Sequence, residues 1–511
     1  MYANDDCVHF YTEALRLSQD VNPGRLRQAQ LEQGLAQAFH DLGNMPTALQ
    51  HYEKGLRYLN AYNPTSSYSF KLRVFRKILR LGLKKVFPKG MTGCCLLFRG
   101  SDEEELRVMA LRADLSSKIA QIHFLRHHPY EAVAYAIFAV NDVVDESSSA
   151  YVMANANMTM VAHFGYHSLA NRFCQRAIEL ATELNMEAAY VCVQSGNLYI
   201  RSGKWALAED AFDSGKLLAE GTRNKRLWEH CLYMLAFISM LQGKFAHSVA
   251  CIEECYASAS ARGDKQRQVW LMNLRTIIHL VQGEREVAAE IQSDRGASGL
   301  QALVFLCTDR AKRALDILAT VVPKLDTTHP TLNEDFMEFV PATEVCMILL
   351  SSQSMQRHRA AIKTMARTLL ACMRRFAKAF PLAEPRYALF KGQYLNACQQ
   401  YRAATASWQH CIDRAHRLSM PFDEALGTFA LRPNCMLVLV HIRTRLCRFH
   451  MRPEWVFGDV SAGERSRVVL QAFTSLGATS GKAICKRSTF AARVKSSSDW
   501  ERVIMRSMLR D

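Results

Sequence analysis

Three stretches of the chain read LYIRSGKWALAEDAF (198–212), ISMLQGKFAHSVACI (238–252) and IHLVQGEREVAAEI (278–291). They align without gaps around Gly203, Gly243 and Gly283, so the repeat has a period of 40 residues. Apolar residues three and four apart precede each glycine, a pattern typical of a helix that ends in a left-handed glycine cap. The stretches therefore predict successive helices joined by tight turns.

A second feature of the repeat follows the glycine. A small residue is followed four positions later by a large one, a spacing that lets two antiparallel helices approach closely. The pairs are Ala208 and Phe212, Ser248 and Ile252, and Ala404 and Trp408. Stretches around Gly43 and Gly165 fit the same frame, and the stretch 388–418 has the same shape. The predicted fold is all-α, a superhelical array of antiparallel helical hairpins that resembles the tetratricopeptide repeat with helices longer than usual.

Changes in periodicity divide the chain into five segments. We predict N-terminal helical hairpins at 1–62, a basic amphipathic helix and loop at 63–105, regular repeats at 106–290, C-terminal helical repeats at 291–431, and a basic, poorly ordered tail at 432–511. Linkers are expected at 292–299 and 324–330, where the apolar periodicity stops.

The net charge of +16 is distributed unevenly. The segment from Arg432 to Asp511 holds fifteen Lys or Arg against six Asp or Glu. The rest of the chain is only weakly basic, so we expect no specific nucleic-acid partner.

One helix, predicted from Ser69 to Phe87, carries a basic stripe. The stripe consists of Arg73, Lys77, Arg80 and Lys84. Such a helix can bind an anionic membrane or a protein such as calmodulin. The alternative is a solvated outer face whose apolar side packs inward, and we favour it because basic amphipathic helices are far commoner than either use.

No catalytic pattern emerges from the sequence. The stretch from Gly477 to Ala483 has three residues between its glycines and Ala after Lys482, whereas a phosphate-binding loop needs four residues and Ser or Thr. Motifs of dinucleotide-binding proteins, zinc proteases and serine hydrolases are missing. We therefore predict a protein that is not an enzyme, with no catalytic residue, cofactor or metal.

Sixteen cysteines occur without any Cys-x-x-Cys pair, which favours buried thiols in a reducing compartment. The N-terminus lacks the basic and apolar regions of a signal peptide. The longest apolar runs are too short to cross a bilayer. We expect a cytoplasmic protein without a transmembrane segment.

Two stretches carry a more specific resemblance. They read AFHDLGNMPTALQHYEKGLRYLN at 38–60 and EPRYALFKGQYLNACQQYRAATASWQHCIDRAHRLSMPFDEALGTFAL at 384–431. In the second, Pro385, Gly392, Ala404, Trp408, Ala415, Leu418 and the segment 420–425 form a pattern. This pattern resembles the C-terminal helical region of multidomain proteins related to soluble adenylyl cyclase. Similar tails occur in bacterial ATPase-linked transcription regulators of the maltose-activator type.

In the cyclase family, paired cyclase domains precede a P-loop ATPase module and a tetratricopeptide-like tail. The resemblance implies a scaffold that binds a protein or peptide on its concave surface, or regulates a cyclase or ATPase module. The alternative is a C-terminal fragment of a soluble-adenylyl-cyclase-like enzyme whose catalytic domains lie outside this chain. The sequence departs from the family pattern after Leu431.

Overall fold

A computed structural model of the 511-residue chain describes residues 4–21, 24–61, 68–86, 103–143, 147–292, 297–331 and 333–431. These residues form α-helices and short 3₁₀ helices, and none of them lies in a β-strand. The predicted all-α class is confirmed. The expected tail at 432–511 and most of the expected loop before residue 103 lie outside the described residues.

The α-helices follow one another along the chain with short connections. They are α1 (Asn4–Val21), α2 (Arg25–Asp41), α3 (Met45–Tyr58), α4 (Tyr68–Val86), α5 (Glu103–Leu125), α6 (Pro129–Asp142), α7 (Ser149–Asn157), α8 (His167–Leu184), α9 (Ala188–Arg201), α10 (Trp205–Gly221), α11 (Lys225–Leu241), α12 (Phe245–Arg262), α13 (Lys265–Gln282), α14 (Arg285–Ile291), α15 (Ser298–Cys307), α16 (Ala311–Thr327), α17 (Phe336–Ser351), α18 (Arg359–Ala379), α19 (Glu384–Ala397), α20 (Tyr401–Arg417) and α21 (Pro421–Ala430). The 3₁₀ helices are Met158–Phe164, Asn333–Asp335, Gln353–His358 and Pro381–Ala383.

The turns between paired helices contain the glycines that define the repeat. Gly203, Gly243 and Gly283 have φ angles of +68°, +78° and +86°. Helices α9, α11 and α13 end one or two residues before these glycines. Only glycine adopts this left-handed conformation without steric cost, which explains the sequence signal. Each of these helices packs on the helix that follows it.

The predicted pairs of small and large residues lie at the helix contacts. Phe212 and Trp408 are buried, each packed over a glycine of the preceding helix. That glycine, Gly196 or Gly392, precedes its ring by 16 residues in both cases. A Cβ at either position would collide with the ring. Close contact within these two hairpins thus depends on a glycine that faces an aromatic side chain.

Two hydrophobic clusters account for most of the core. One extends from Ala189 to Ala430 and the other from Ala29 to Leu198. Both run through many consecutive helices, so each pair of helices buries its apolar side against its neighbours.

Several turns contact elements about 200 residues away in the sequence. Trp205 Nε1 donates a hydrogen bond to the carbonyl of Leu418, and Arg262 Nη1 donates to the carbonyl of Asp41 at 2.7 Å. Thr331 Oγ1 donates to the carbonyl of Phe124 at 2.8 Å. These contacts gather the early, middle and late helices around a common interior.

The structure corrects the bounds of both expected linkers. Ser298 and Gly299 already lie in the first turn of α15. Residues 324–327, expected in a linker, form the last turn of α16. The helix continues past Pro323 because Val322 and Leu325 are buried in the core. The predicted helix from Ser69 to Phe87 corresponds to α4 and is confirmed.

Candidate functional site

A cavity of about 250 Å³, lined by both charged and apolar side chains, lies where the first helices of several hairpins converge. Most of its walls come from α2, α5, α9, α11 and α13, and residues of α7, of the first 3₁₀ helix and at positions 331, 333 and 334 complete them. The charged and amide side chains in the walls include Asp41, Lys118, Gln194, Arg226, Arg267 and Glu334. The hydrogen bond from Arg262 to the carbonyl of Asp41 lies beside the part of the wall that α2 and α13 form.

An ion cluster supports this wall. Arg262 Nη2 lies 2.6 Å from Glu229 Oε2 and 2.7 Å from Asp264 Oδ2, and at most 3% of each of the three side chains is exposed. Ser258 Oγ donates to Glu229 Oε1 at 2.7 Å. The hydrogen bond from Arg262 to Asp41 links α12 to the end of α2. The cluster thus fixes two distant hairpins relative to each other.

Beside the cluster, Arg267 lies between aromatic rings and a histidine. Its guanidinium carbon is 5.0 Å from the Trp270 ring and 5.2 Å from the Tyr233 ring. Its Nη2 lies 3.3 Å from His230 Nδ1. Because Arg267 can only donate, Nδ1 accepts and the proton of the neutral imidazole is assigned to Nε2. Burial, with Arg267 and Arg226 close by, lowers the pKa of His230 to about 3.

Two further cations contribute to the cavity walls. Burial lowers the pKa of Arg226, an effect opposed by Asp264 and Asp41. Arg201 is 6% exposed, and its Nη2 donates to the carbonyl of Thr331 at 3.0 Å. Burial lowers the Arg201 pKa to about 10. In both arginines the Nη1 atom is buried and has no hydrogen-bond partner among the residues that the structure describes.

Acidic groups in the walls balance these cations. Burial raises the pKa of Glu334 to about 7. Asp264 accepts from the backbone N–H of Arg267 at 3.0 Å. The cavity thus presents hydrogen-bond donors and acceptors, with positive and negative side chains, and this pattern is suited to recognising a polar ligand. Within the described ranges, no group of three or more His, Cys, Asp or Glu side chains is arranged to hold a metal ion.

The basic stripe predicted on α4 does not face solvent as expected. Lys77 forms an ion pair with Asp142, and Arg73 Nη2 lies 3.7 Å from the same carboxylate. Arg73 also donates to the carbonyl of Ala61 and lies 4.6 Å from the centre of the Phe138 ring. The expectation of a solvated stripe is therefore wrong for Arg73 and Lys77, because the buried Asp142 attracts both cations.

The other two stripe residues have different surroundings. Arg80 is half-buried and has an interaction partner. Lys84 lies in the last turn of α4, where the described structure covers the backbone alone. Arg73 and Lys77 are thus paired with Asp142, and an anion-binding surface formed by all four residues stays a prediction.

The ion cluster lies at the junction of two helices. Gly263, which follows α12, has a left-handed conformation, and the side chain of Asp264 caps α13. The ion cluster was not predicted, although a signal exists. Glu229 lies among the apolar residues Trp228, Cys231 and Leu232, where an unpaired carboxylate is unfavourable.

No protein-family model matches this chain, and no curated protein is significantly similar to it. Among the helices described, none is long and apolar enough to cross a membrane. The proposals below therefore rest on the geometry and on the sequence pattern.

Proposed function

We propose that this chain is a non-catalytic, tetratricopeptide-like repeat scaffold. Its helical hairpins would stack into a superhelix whose concave surface binds a protein or peptide, or regulates a nucleotide-cyclase or ATPase partner. The observation that carries the proposal is the convergence of charged side chains from α2, α5, α9, α11 and α13 on one cavity. Repeat proteins use such inner surfaces to bind extended ligands.

The composition of the walls supports a polar, sequence-reading contact. Lys118, Gln194 and Arg226 come from three different helices and line the same space. A peptide segment that enters there would meet both hydrogen-bond donors and acceptors, so affinity would depend on charge pattern as well as on shape.

Site-specific photo-crosslinking tests this proposal. A photoreactive amino acid replaces Gln194 in the cavity wall or, as a control, the exposed Arg402 on α20. We expect a discrete crosslinked partner from position 194 and not from position 402, and its loss when Lys118→Glu is added. Equal crosslinking at both positions, or crosslinking that Lys118→Glu leaves unchanged, would contradict binding in the cavity.

The alternative function is that of a C-terminal fragment of a soluble-adenylyl-cyclase-like enzyme. Support comes from the sequence pattern of Pro385, Gly392, Trp408 and the segment 420–425. In the structure, Pro385 lies in the first turn of α19, Trp408 packs over Gly392, and Asp423 forms a buried ion pair with Arg386. These contacts stabilise the helices, so the alternative rests on the sequence pattern alone.

The gene separates the two functions. A continuous reading frame upstream of Met1 that encodes a cyclase domain or a P-loop would support the fragment. An upstream stop codon in every transcript would exclude it.

We further propose that the protein acts in the cytoplasm. The cysteines of the described residues are free thiols, and most of them are buried. Burial raises the pKa of Cys231, Cys255 and Cys346 to about 12, which makes these thiols unreactive.

A further inference from the structure

Helix α4 has apolar residues on two opposite faces. The inner face packs on α6 through Phe70, whose ring centre lies 5.7 Å from that of Tyr135 and 5.5 Å from that of Phe138. The ion pairs of Arg73 and Lys77 with Asp142 hold this side as well. One half of the helix surface is therefore already occupied by the body of the protein.

The outer face of α4 carries a second apolar stripe. Tyr68, Leu72, Phe75 and Leu79 are four, three and four residues apart, so they share one side of the helix. Their exposed fractions are 80%, 45%, 64% and 53%. Single exposed apolar residues are common in proteins, but four in register on one helix mark an interaction surface.

The charged residues beside the apolar stripe of α4 indicate which kind of partner it binds. Lys71 and Arg76 are exposed and lie on either side of the apolar stripe. The whole of α4 contains seven Lys or Arg and no Asp or Glu. An apolar stripe bordered by cations is the pattern of helices that lie in the plane of an anionic membrane surface.

We propose that the outer face of α4 docks on the surface of an anionic lipid bilayer. The stripe enters the boundary between headgroups and acyl chains, while Lys71 and Arg76 pair with lipid phosphates. A flat surface can reach the stripe without disturbing the inner face. A protein that wraps around a basic helix would have to break the Phe70 packing and the Asp142 ion pairs, which disfavours such a partner.

Vesicle sedimentation of the full chain tests the proposal. We expect binding to vesicles of phosphatidylcholine with phosphatidylserine and weak binding to pure phosphatidylcholine. Leu72→Ser with Phe75→Ser should lower the partition coefficient by about tenfold or more, because it removes apolar area from the contact. Lys71→Gln and Arg76→Gln should lower it by about fivefold each, and added salt should weaken binding. Leu217→Ser is the matched control, since Leu217 is 66% exposed on α10.

A fluorescent reporter shows whether this face makes the contact. Phe75→Trp should shift its emission to shorter wavelength on anionic vesicles, whereas Leu217→Trp should not. The proposal is overturned if Leu217→Ser reduces vesicle binding as much as the α4 variants. It is equally overturned if the partition coefficient is the same with and without phosphatidylserine. It is also overturned if light scattering shows a dimer that the Leu72 and Phe75 variants abolish, or if the face binds an acidic protein and no vesicle. Circular dichroism of each variant verifies that the fold is retained.

Discussion

Replacing Arg262 with alanine tests whether the ion cluster fixes distant hairpins. Arg262 lies between the carboxylates of Glu229 and Asp264 and also donates to the carbonyl of Asp41. The substitution removes this cation and leaves Glu229, whose side chain is completely buried, with the hydroxyl of Ser258 as its remaining hydrogen-bond partner among the described contacts.

The expected loss follows from the burial of the cluster. Removing one partner of a buried ion pair destabilises a protein by about 3–5 kcal/mol, because the remaining charge has lost its compensation. Asp264 retains Arg226 and Arg267 nearby, so Glu229 accounts for most of the loss. Arg262→Lys keeps the charge but not the bidentate hydrogen bonding of the guanidinium group. Its loss of stability should therefore be smaller than that of the alanine variant.

Urea unfolding followed by circular dichroism measures the loss, and amide exchange localises it. We expect faster exchange at Gly43 and Asn44, next to the lost contact with Asp41. Arg176→Ala is the control, since its partner Glu179 lies 3.5 Å away and both side chains are at least 40% exposed, so it should change stability by less than about 0.5 kcal/mol. An Arg262→Ala protein within about 1 kcal/mol of the wild type, with unchanged exchange at residues 43 and 44, would refute the reasoning.

Two further variants test one repeat turn and one buried histidine. Gly243→Val should lower the free energy of unfolding by about 1–3 kcal/mol, because φ is +78° at this turn. Gly221→Ala is the control and should not lower it, because Gly221 lies in a helix with open space around it. Identical melting curves for the two variants would count against the repeat register. Burial, with His128 and Arg126 nearby, lowers the pKa of His123 to about 4. The neutral imidazole makes its full contribution to the free energy of unfolding above about pH 6.5, and this contribution is lost as the pH falls toward 4. Acidification from pH 7 to 5.5 should therefore lower the free energy of unfolding of the wild type by about 1 kcal/mol more than that of His123→Phe. A zero difference between their unfolding curves at the two pH values would contradict the buried neutral histidine.

The helices and turns were predictable because their signals are local. A glycine in a left-handed turn, such as Gly203, can be recognised in the sequence because it follows a helix with apolar periodicity. The pairing of Ala208 with Phe212 likewise follows from helical spacing. These features depend on residues within one hairpin, so no knowledge of the tertiary structure was needed.

The cavity and the orientation of α4 were not predictable for the opposite reason. Arg262 contacts Asp41 across 221 residues, and nothing near either residue in the sequence indicates the pair. Helix α4 has cations and apolar residues on both of its sides. Periodicity alone therefore shows that the helix is amphipathic but not which side faces the core.

Asp142, together with the packing of Phe70 on α6, determines which side of α4 faces the core. This carboxylate is 7% exposed at the end of α6, and leaving it unpaired there would cost several kcal/mol. Arg73 and Lys77 satisfy it only if their side of the helix turns inward. Because Tyr68, Leu72, Phe75 and Leu79 lie on the opposite side, the same rotation exposes them. The ion pairs and the exposed apolar stripe are thus consequences of one rotation, and a neutral residue at position 142 would remove the electrostatic reason for it.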